Sequence, residues 1–258
     1  MTTKVNLNAD MGEGFGAYDI GDDASILKIV MSANVACGFH AGDPNTMHRS
    51  VEGAIAQGVS IGAHPGFNDL WGFGRQRIDM NARDLESMII YQIGALQGIA
   101  AAAGTTVSHV KLHGALSNMA AENFDLALAG AKAVKAIDPA LIYLAQAGTE
   151  MIKAARQIGL QVAEEVFADR AYEDNGLLVS RKKPGAVLHD PAEIVANVVR
   201  MVQDQAVTSV NGAQIPVNVD SICVHGDEPT AVGAAVAVRK GLEAEGIAVV
   251  PLTALDLR

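Results

Sequence analysis

Asp10, His40, His64, His113 and His225 are the residues of this 258-residue chain best equipped for proton transfer or metal binding, and each closes or follows a short run of β-type residues. Imidazoles and carboxylates brought together can activate a water, protonate a leaving nitrogen, or ligate a divalent cation. Asp10 and Glu13 stand in Asn8-Ala9-Asp10-Met11-Gly12-Glu13-Gly14, where glycines let the backbone turn while two carboxylates line a pocket. Asp10, His40 and His64 form a candidate set for a divalent metal. Lys111 shares a strand face with His113. A lysine aimed into a fold needs a carboxylate or a bound anion, so Lys111 is a candidate for substrate binding or acid–base work. The glycine-rich stretch 65–77 has the composition of a lid and brings Arg75 and Arg77 within reach of a carboxylate or phosphate. Asp169 and Arg170 follow another β-type run and could face substrate or pair with each other; Glu165 shares the strand face of Asp169. His109 lies deeper and reads as structural, and His48 falls on a helix face at the surface.

The elements that must position these groups alternate along the whole chain. Strand-type runs are expected at 4–10, 32–37, 59–64, 107–113, 141–145, 161–167, 221–225 and 247–251. Helical patterns fill 23–31, 44–57, 82–103, 121–137, 149–158, 191–205 and 230–245. Asp43-Pro44 and Asp190-Pro191 supply N-caps followed by proline at the first helical position. Asn211-Gly212 marks a hairpin in the connection before the seventh strand. Such alternation implies parallel strands with right-handed crossovers. Side-chain alternation then chooses between a barrel and an open sheet. Asn6, Asn8 and Asp10 oppose Val5, Leu7 and Ala9; Ser32 and Asn34 oppose Ala33 and Val35; Ser60, Gly62 and His64 oppose Val59, Ile61 and Ala63. His109, Lys111 and His113 oppose Val110 and Leu112, while Ser221, Cys223 and His225 oppose Ile222 and Val224. An open parallel sheet covered on both sides would be apolar on both faces. Five polar faces therefore predict an α/β barrel with its functional groups at the C-terminal strand ends, and 258 residues suit one such domain spanning positions 1–258.

Rival motifs are weak. Gly12, Gly14 and Ala17 match the spacing of a dinucleotide fingerprint, but Tyr18-Asp19-Ile20-Gly21 stands where its helix should run, and no acid ends the second strand. No G-x-x-x-x-G-K-[ST] run is present, so any nucleotide chemistry is not of the P-loop type. Cys37 beside His40 is more simply a buried apolar residue than a nucleophile, and Cys223 reads as core. A net charge of −10 argues against nucleic acid as a partner. Two cysteines in apolar surroundings, no basic leader and no run of about 18 apolar residues point to a cytoplasmic protein away from membranes.

Read together, the blocks 6–16, 32–44, 62–77, 111–115, 167–172, 181–186 and 219–227 resemble the LamB/YcsF family, the A subunit of bacterial ATP-dependent 5-oxoprolinase. The likeness spans nearly the whole chain. It departs at Leu112, where a Lys-Pro-His run is usual, and at Ser117, where a tyrosine is usual. The resemblance implies an irregular seven-stranded parallel β/α barrel of the glycoside hydrolase/deacetylase type, with the run near Ile247 peripheral to it. It also implies opening of 5-oxo-L-proline to L-glutamate with consumption of ATP as co-substrate, in a complex with separate B and C subunits. On that reading Asp10 or His40 serves as base, His64 belongs to the same catalytic group, and His113 or Lys111 acts as acid. Glu13, Arg75, Asp169, Arg170 and His225 contact substrate. A stand-alone metal-dependent deacetylase or amidase and a non-catalytic substrate-binding subunit stay open as alternatives, as does homo-oligomerisation.

Overall fold

In the computed structural model, residues 3–225 and 229–257 are described. The chain runs β1 (Lys4–Met11), α1 (Asp23–Ile26), β2 (Ser32–Ala36), α2 (Pro44–Gln57), β3 (Ser60–His64), α3 (Ala82–Ala102), β4 (Val107–Lys111), α4 (Gly114–Glu122), α5 (Phe124–Ile137) and β5 (Ile142–Gln146). It continues through α6 (Glu150–Gln157), β6 (Val162–Phe167), α7 (Pro191–Asp204), β7 (Ala206–Thr208), β8 (Gln214–Pro216), β9 (Ser221–Cys223), α8 (Pro229–Ala244) and β10 (Ala248–Val249). Strands β1, β2, β3, β4, β5, β6 and β9 are parallel neighbours in that order, and β9 returns to β1 through Asn6↔Ser221 and Asn8↔Cys223, closing a seven-stranded barrel. β10 pairs only with the start of β1, at Lys4 and Val5, and so lies outside the ring.

The expected caps form. The Asp43 carboxylate accepts from Asn45 N and Thr46 N, and Asp190 accepts from Ala192 N. The Asn211-Gly212 hairpin joins antiparallel β7 and β8. Two helical expectations are corrected. The pattern over 121–137 is two helices, because the Asn123 side chain caps α5 and breaks it from α4, which already begins at Gly114. The run over 23–31 gives only one short turn, α1, which stops at Ile26. No helix among the described residues is long and apolar enough to cross a membrane.

Outward-facing Val5, Leu7, Ala33, Val35, Ile61, Ala63, Val110 and Ile222 pack against the helices, all essentially inaccessible. The inner polar residues satisfy one another, as burial demands. Asn6 Nδ2 donates to Ser32 Oγ (3.0 Å) and Val250 O (2.8 Å), and Ser221 Oγ donates to Asn6 Oδ1 (2.8 Å). Asn8 Nδ2 donates to Ser221 Oγ, while Asn34 Nδ2 donates to Asn8 Oδ1 at 2.7 Å and Asp10 Oδ1 at 2.9 Å. His109 is structural: its Nε2 lies 2.9 Å from Asn34 Oδ1, and burial followed by the Lys111 charge lowers its pKa to about 3. β5 and β6 complete the interior differently. Ile142, Leu144 and Ala163 pack on Leu252, Leu255 and Leu257, so the C-terminal segment stoppers the strand-start end of the barrel with hydrocarbon.

Gly62 is required by this packing, because a Cβ there would lie 2.1 Å from His109 Nε2. Gly62→Ala should cost about 1–3 kcal/mol, the usual range for overpacking. A denaturant titration would show this as a lower midpoint at unchanged slope, partly recovered in the double variant Gly62→Ala/His109→Ala. A midpoint equal to wild type would mean that the ring moves aside freely.

Candidate active site

At the C-terminal strand ends a pocket of about 500 Å³ opens, with Asp10, His64, Lys111, His113, Arg181 and His225 in its wall. Its floor is an ion cluster. Lys111 Nζ lies 2.9 Å from Asp10 Oδ1 and 2.9 Å from Glu165 Oε1, with Asn8 Oδ1 at 3.3 Å and Cys223 Sγ at 3.1 Å. Burial alone would strip the lysine of its proton, yet the carboxylates hold its pKa well above the ordinary value. Asp10 shows the reverse balance. Burial raises its pKa, but the charges of His64 and Lys111 outweigh burial and hold the carboxyl well below its usual range. Burial raises Glu165 despite Lys111.

Beside this floor stand three imidazoles. His40 stacks on His113 with centroids 3.7 Å apart and planes within 8°, and His64 meets both edge-on. Their contacts settle where the protons sit. His64 Nδ1 lies 2.8 Å from Lys111 O and His113 Nε2 lies 2.8 Å from Phe73 O. A carbonyl only accepts, so both of those nitrogens carry hydrogen. The remaining nitrogens, His64 Nε2 and His113 Nδ1, then face each other at 3.0 Å with a lone pair each unless one ring is protonated. Protonation is disfavoured at His113, where burial, then the His64 charge, lowers the pKa to about 3. His40 is held well below its ordinary value by burial and its two histidine neighbours, and both its ring nitrogens are buried without a hydrogen-bond partner among the described residues. The Glu13 carboxylate lies 4.0 Å from His40 Nε2 and from His113 Nδ1. One ligand atom each from Glu13, His40, His64 and His113 falls within 4.8 Å of the others, the arrangement of a possible cation site.

The backbone enforces this grouping. Gly74 has φ +61°, and a Cβ on it would lie 2.7 Å from His40 Cβ and 2.8 Å from the His113 ring. Phe73, also left-handed at φ 56°, turns its carbonyl onto His113. Gln92, fully buried on α3, clamps Gly66 through both its amide atoms, and Pro65 O receives His113 N.

His225 follows β9, the strand paired with β1, and Asp169 stands behind it. His225 Nδ1 lies 3.0 Å from Asp169 Oδ2. Burial opposes the imidazolium, but the charge and hydrogen bond of Asp169 prevail and raise the His225 pKa.

The structure gathers Asp10, Glu13, His64, Lys111, His113 and His225 around one pocket, with His40 stacked on His113. The ligand atoms that converge are those of Glu13, His40, His64 and His113, while Asp10 holds Lys111 and Asn34 through Oδ1 and lies 3.3 Å from His64 Nε2 through Oδ2. His113 donates through Nε2 to Phe73 O, and Lys111 lies between two carboxylates. Arg170 lines the pocket while its guanidinium bonds Val179 O and Ala186 O, bracing the following loop. Arg75 lies over the Phe73 ring at 4.9 Å, and Arg77 pairs with Glu122 at 3.4 Å. Cys37 is inert, its thiol pushed up to about 12 by burial. His48 pairs with Glu52 on the surface. From the sequence Glu165 has only a strand face, that of Asp169, and Arg181 has no role. The need of an inward lysine for a carboxylate on a facing strand is the signal that picks out Glu165; nothing local marks Arg181. Leu112 faces the helices and is buried, and Ser117 Oγ accepts from Gln146 Nε2 at 3.2 Å. Gly226 and Asp227, which end the last of the matching sequence blocks, lie outside the described residues.

Comparison with known proteins agrees with this architecture. A solved structure of a lactam utilization protein from Thermus thermophilus superposes with a TM-score of 0.90 at 43% identity, covering 96% of this chain and 99% of that one. A protein of Rhodopseudomonas palustris (strain BisB5), named as the A subunit of 5-oxoprolinase, is 56% identical over 249 residues, 96% of this chain and 98% of the relative. A protein of the same name from Mycolicibacterium gilvum (strain PYR-GCK) is 54% identical over 245 residues, 95% of this chain and 97% of the relative. The model of the LamB/YcsF family matches residues 5–256, and this chain belongs to that family.

Proposed function

We propose that this chain is the ring-opening component of an ATP-consuming 5-oxoprolinase, hydrolysing the cyclic amide of 5-oxo-L-proline to L-glutamate. The observation that carries the reading is one pocket that brings an ionised Asp10 and a cluster of imidazoles together with His225, whose proton Asp169 favours, in a chain more than half identical to proteins named as the A subunit of 5-oxoprolinase.

A lactam is a poor electrophile, and no phosphate-binding Gly-Lys loop occurs in this sequence. ATP is accordingly used on the partner B and C subunits, which transfer its terminal phosphoryl group to the lactam oxygen and release ADP. In this pocket water adds to the activated carbon and the carbon–nitrogen bond breaks. The nitrogen leaves as an amine, and the resulting acyl phosphate takes up a second water to give glutamate and phosphate. Asp10 orients the incoming water and accepts its hydrogen bond through Oδ2, since Oδ1 is occupied by Lys111 and Asn34. Lys111 and Glu165 hold that carboxylate in place. His225 gives its proton to the departing nitrogen, and Asp169 keeps the ring aimed and charged. Arg75 and Arg181 are placed to meet the substrate's anionic groups.

Glu13, His40, His64 and His113 fit a divalent ion: the orphaned nitrogens of His40 and the facing lone pairs of His64 and His113 are what a nitrogen-preferring metal would use. When bound, such an ion would supply Lewis acidity beside the reacting carbonyl.

Three outcomes are expected. With the B and C subunits present, wild type should release glutamate from 5-oxoproline in step with ATP use, and Asp10→Asn should lower that rate about 10²-fold or more; an undiminished variant sinks the assignment. Glutamate formed by the isolated chain without ATP would instead favour a self-sufficient metal amidase, the reading that the three-histidine group supports. Second, metal-stripped protein should take up one equivalent of Zn²⁺ measured by elemental analysis, and His40→Ala should weaken uptake at least about tenfold. Equal metal contents in both proteins would refute the site. Third, Asp169→Asn removes the charge that raises the His225 pKa, so the alkaline limb of kcat/KM, where the acid loses its proton, should move to lower pH. An unmoved limb would take His225 out of the proton transfer.

A further inference from the structure

We propose that the rim of this pocket is the docking face for the phosphoryl-transferring partner subunit, seated on exposed apolar side chains of the loops that follow β1 and β3. The proposal rests on the ring-opening reading above. Eight large apolar side chains are prominently exposed among the described residues, and five of them lie on these two loops: Phe15 (47%), Tyr18 (77%), Ile20 (42%), Leu70 (46%) and Trp71 (99%). Scattered exposure of apolar groups is ordinary, whereas its concentration on two loops that also supply Ile20, Arg75 and Arg77 to the pocket wall marks a contact surface.

Both loops hang on the same segment of backbone, the turn carrying His40. Gly42 N donates to Gly14 O at 2.9 Å, and Asp69 N donates to Phe39 O at 3.1 Å. Each is internally fixed as well. Phe15 and Tyr18 exchange two backbone hydrogen bonds, and Asp43 Oδ2 receives Gly16 N. In the second loop Asp69 accepts from Gly72 N and Gln76 N, and Gly74 N returns to Asp69 O. These loops have already filled their own interior: Phe67 is buried, and Phe73 lies edge-on against His40 and His113. Leu70 and Trp71 are therefore surplus to local packing and are held outward in a preformed arrangement, as anchor residues of an interface are.

The occupant follows from charge and chemistry. A second copy would bring together two chains of net charge −10 and press one pocket mouth against another, closing both to substrate. A phosphorylated lactam made elsewhere is destroyed by water unless it passes directly into this pocket, so the subunit that makes it has reason to cover the mouth. Lys182, and Arg77 beside Glu122, also line the pocket, cationic groups on an acidic protein that a carboxylate-bearing partner face would complement.

Trp71 is the chain's single tryptophan, so its emission reports on this surface directly. Titrating the B and C subunits into the wild-type chain without ATP or substrate should shift Trp71 emission to shorter wavelength and saturate. The double variant Tyr18→Ser/Leu70→Ser should raise the half-saturating concentration about tenfold or more. Trp71→Ser, assayed for glutamate formation, should reach the wild-type maximal rate only at correspondingly higher concentration of the partners. Unchanged half-saturation in these variants overturns the proposal. So does an emission shift that tracks the chain's own concentration in the absence of partners, which would assign the face to a second copy. Because binding is read without turnover, a saturable shift in a mixture that never forms glutamate would uphold the docking face and reject the 5-oxoproline reading.

Discussion

Lys111 is a fully paired cation inside a barrel, and much of the site is arranged by what that burial requires. An unpaired ammonium there would give up its proton or unfold its surroundings; two carboxylates from β1 and β6 keep it charged. Because Asp10 and Glu165 sit on strands that are not neighbours, the lysine ties opposite sides of the ring together. It also fixes Asp10 by one oxygen, leaving the other toward His64 and the pocket. The main-chain carbonyl of Lys111 is engaged too, receiving His64 Nδ1. One residue thus sets the charge of a carboxylate and the tautomer of an imidazole.

From that floor the polarity of the interior rises in layers. At the strand starts, β5 and β6 present hydrocarbon to Leu252 and its neighbours. Above it lies a neutral layer of asparagine, serine and His109 that hydrogen-bond one another and reach up to Asp10 and Lys111. Charged groups come next, and the imidazoles lie nearest the mouth. This order follows solvation: groups with the largest desolvation cost are stable only where partners or a bound ligand can meet them. Burial lowers the pKa of His40 and His113, while His225, next to Asp169, is inclined to keep its proton. Hydrolysis of an amide needs both kinds of group, since one must accept hydrogen bonds from water and another must protonate nitrogen.

The rim obeys a different constraint. Loop backbones at strand ends are normally covered by polar side chains, yet here rigid turns present tryptophan, tyrosine and leucine to solvent. The stiffness that holds Gly74 and Phe73 against the imidazoles also prevents Leu70 and Trp71 from folding inward. Site geometry and surface character are two consequences of one loop conformation.

The sequence by itself determined the barrel. Period-two alternation assigned Asn6, Asn8, Asp10, Asn34, His64, His109 and Lys111 to the inner face, and strand ends were legible to within one or two residues because each was bounded by turn or cap chemistry. It missed the break at Asn123, since the hydrophobic stripe of α5 continues into α4 and only the cap interrupts it. Which inner residues touch was not legible. Alternation gives the direction of a side chain but not the stagger between strands, so the partnership of Lys111 with Glu165, and of His225 with Asp169, was decided by barrel closure. The same holds for the exchange of Asp10 for Glu13 and His113 in the cation group: ligand sets depend on distances between loops far apart in sequence. Only the tertiary structure brings those loops to one point, and only there do burial and carbonyl contacts dictate which imidazole nitrogens keep their protons.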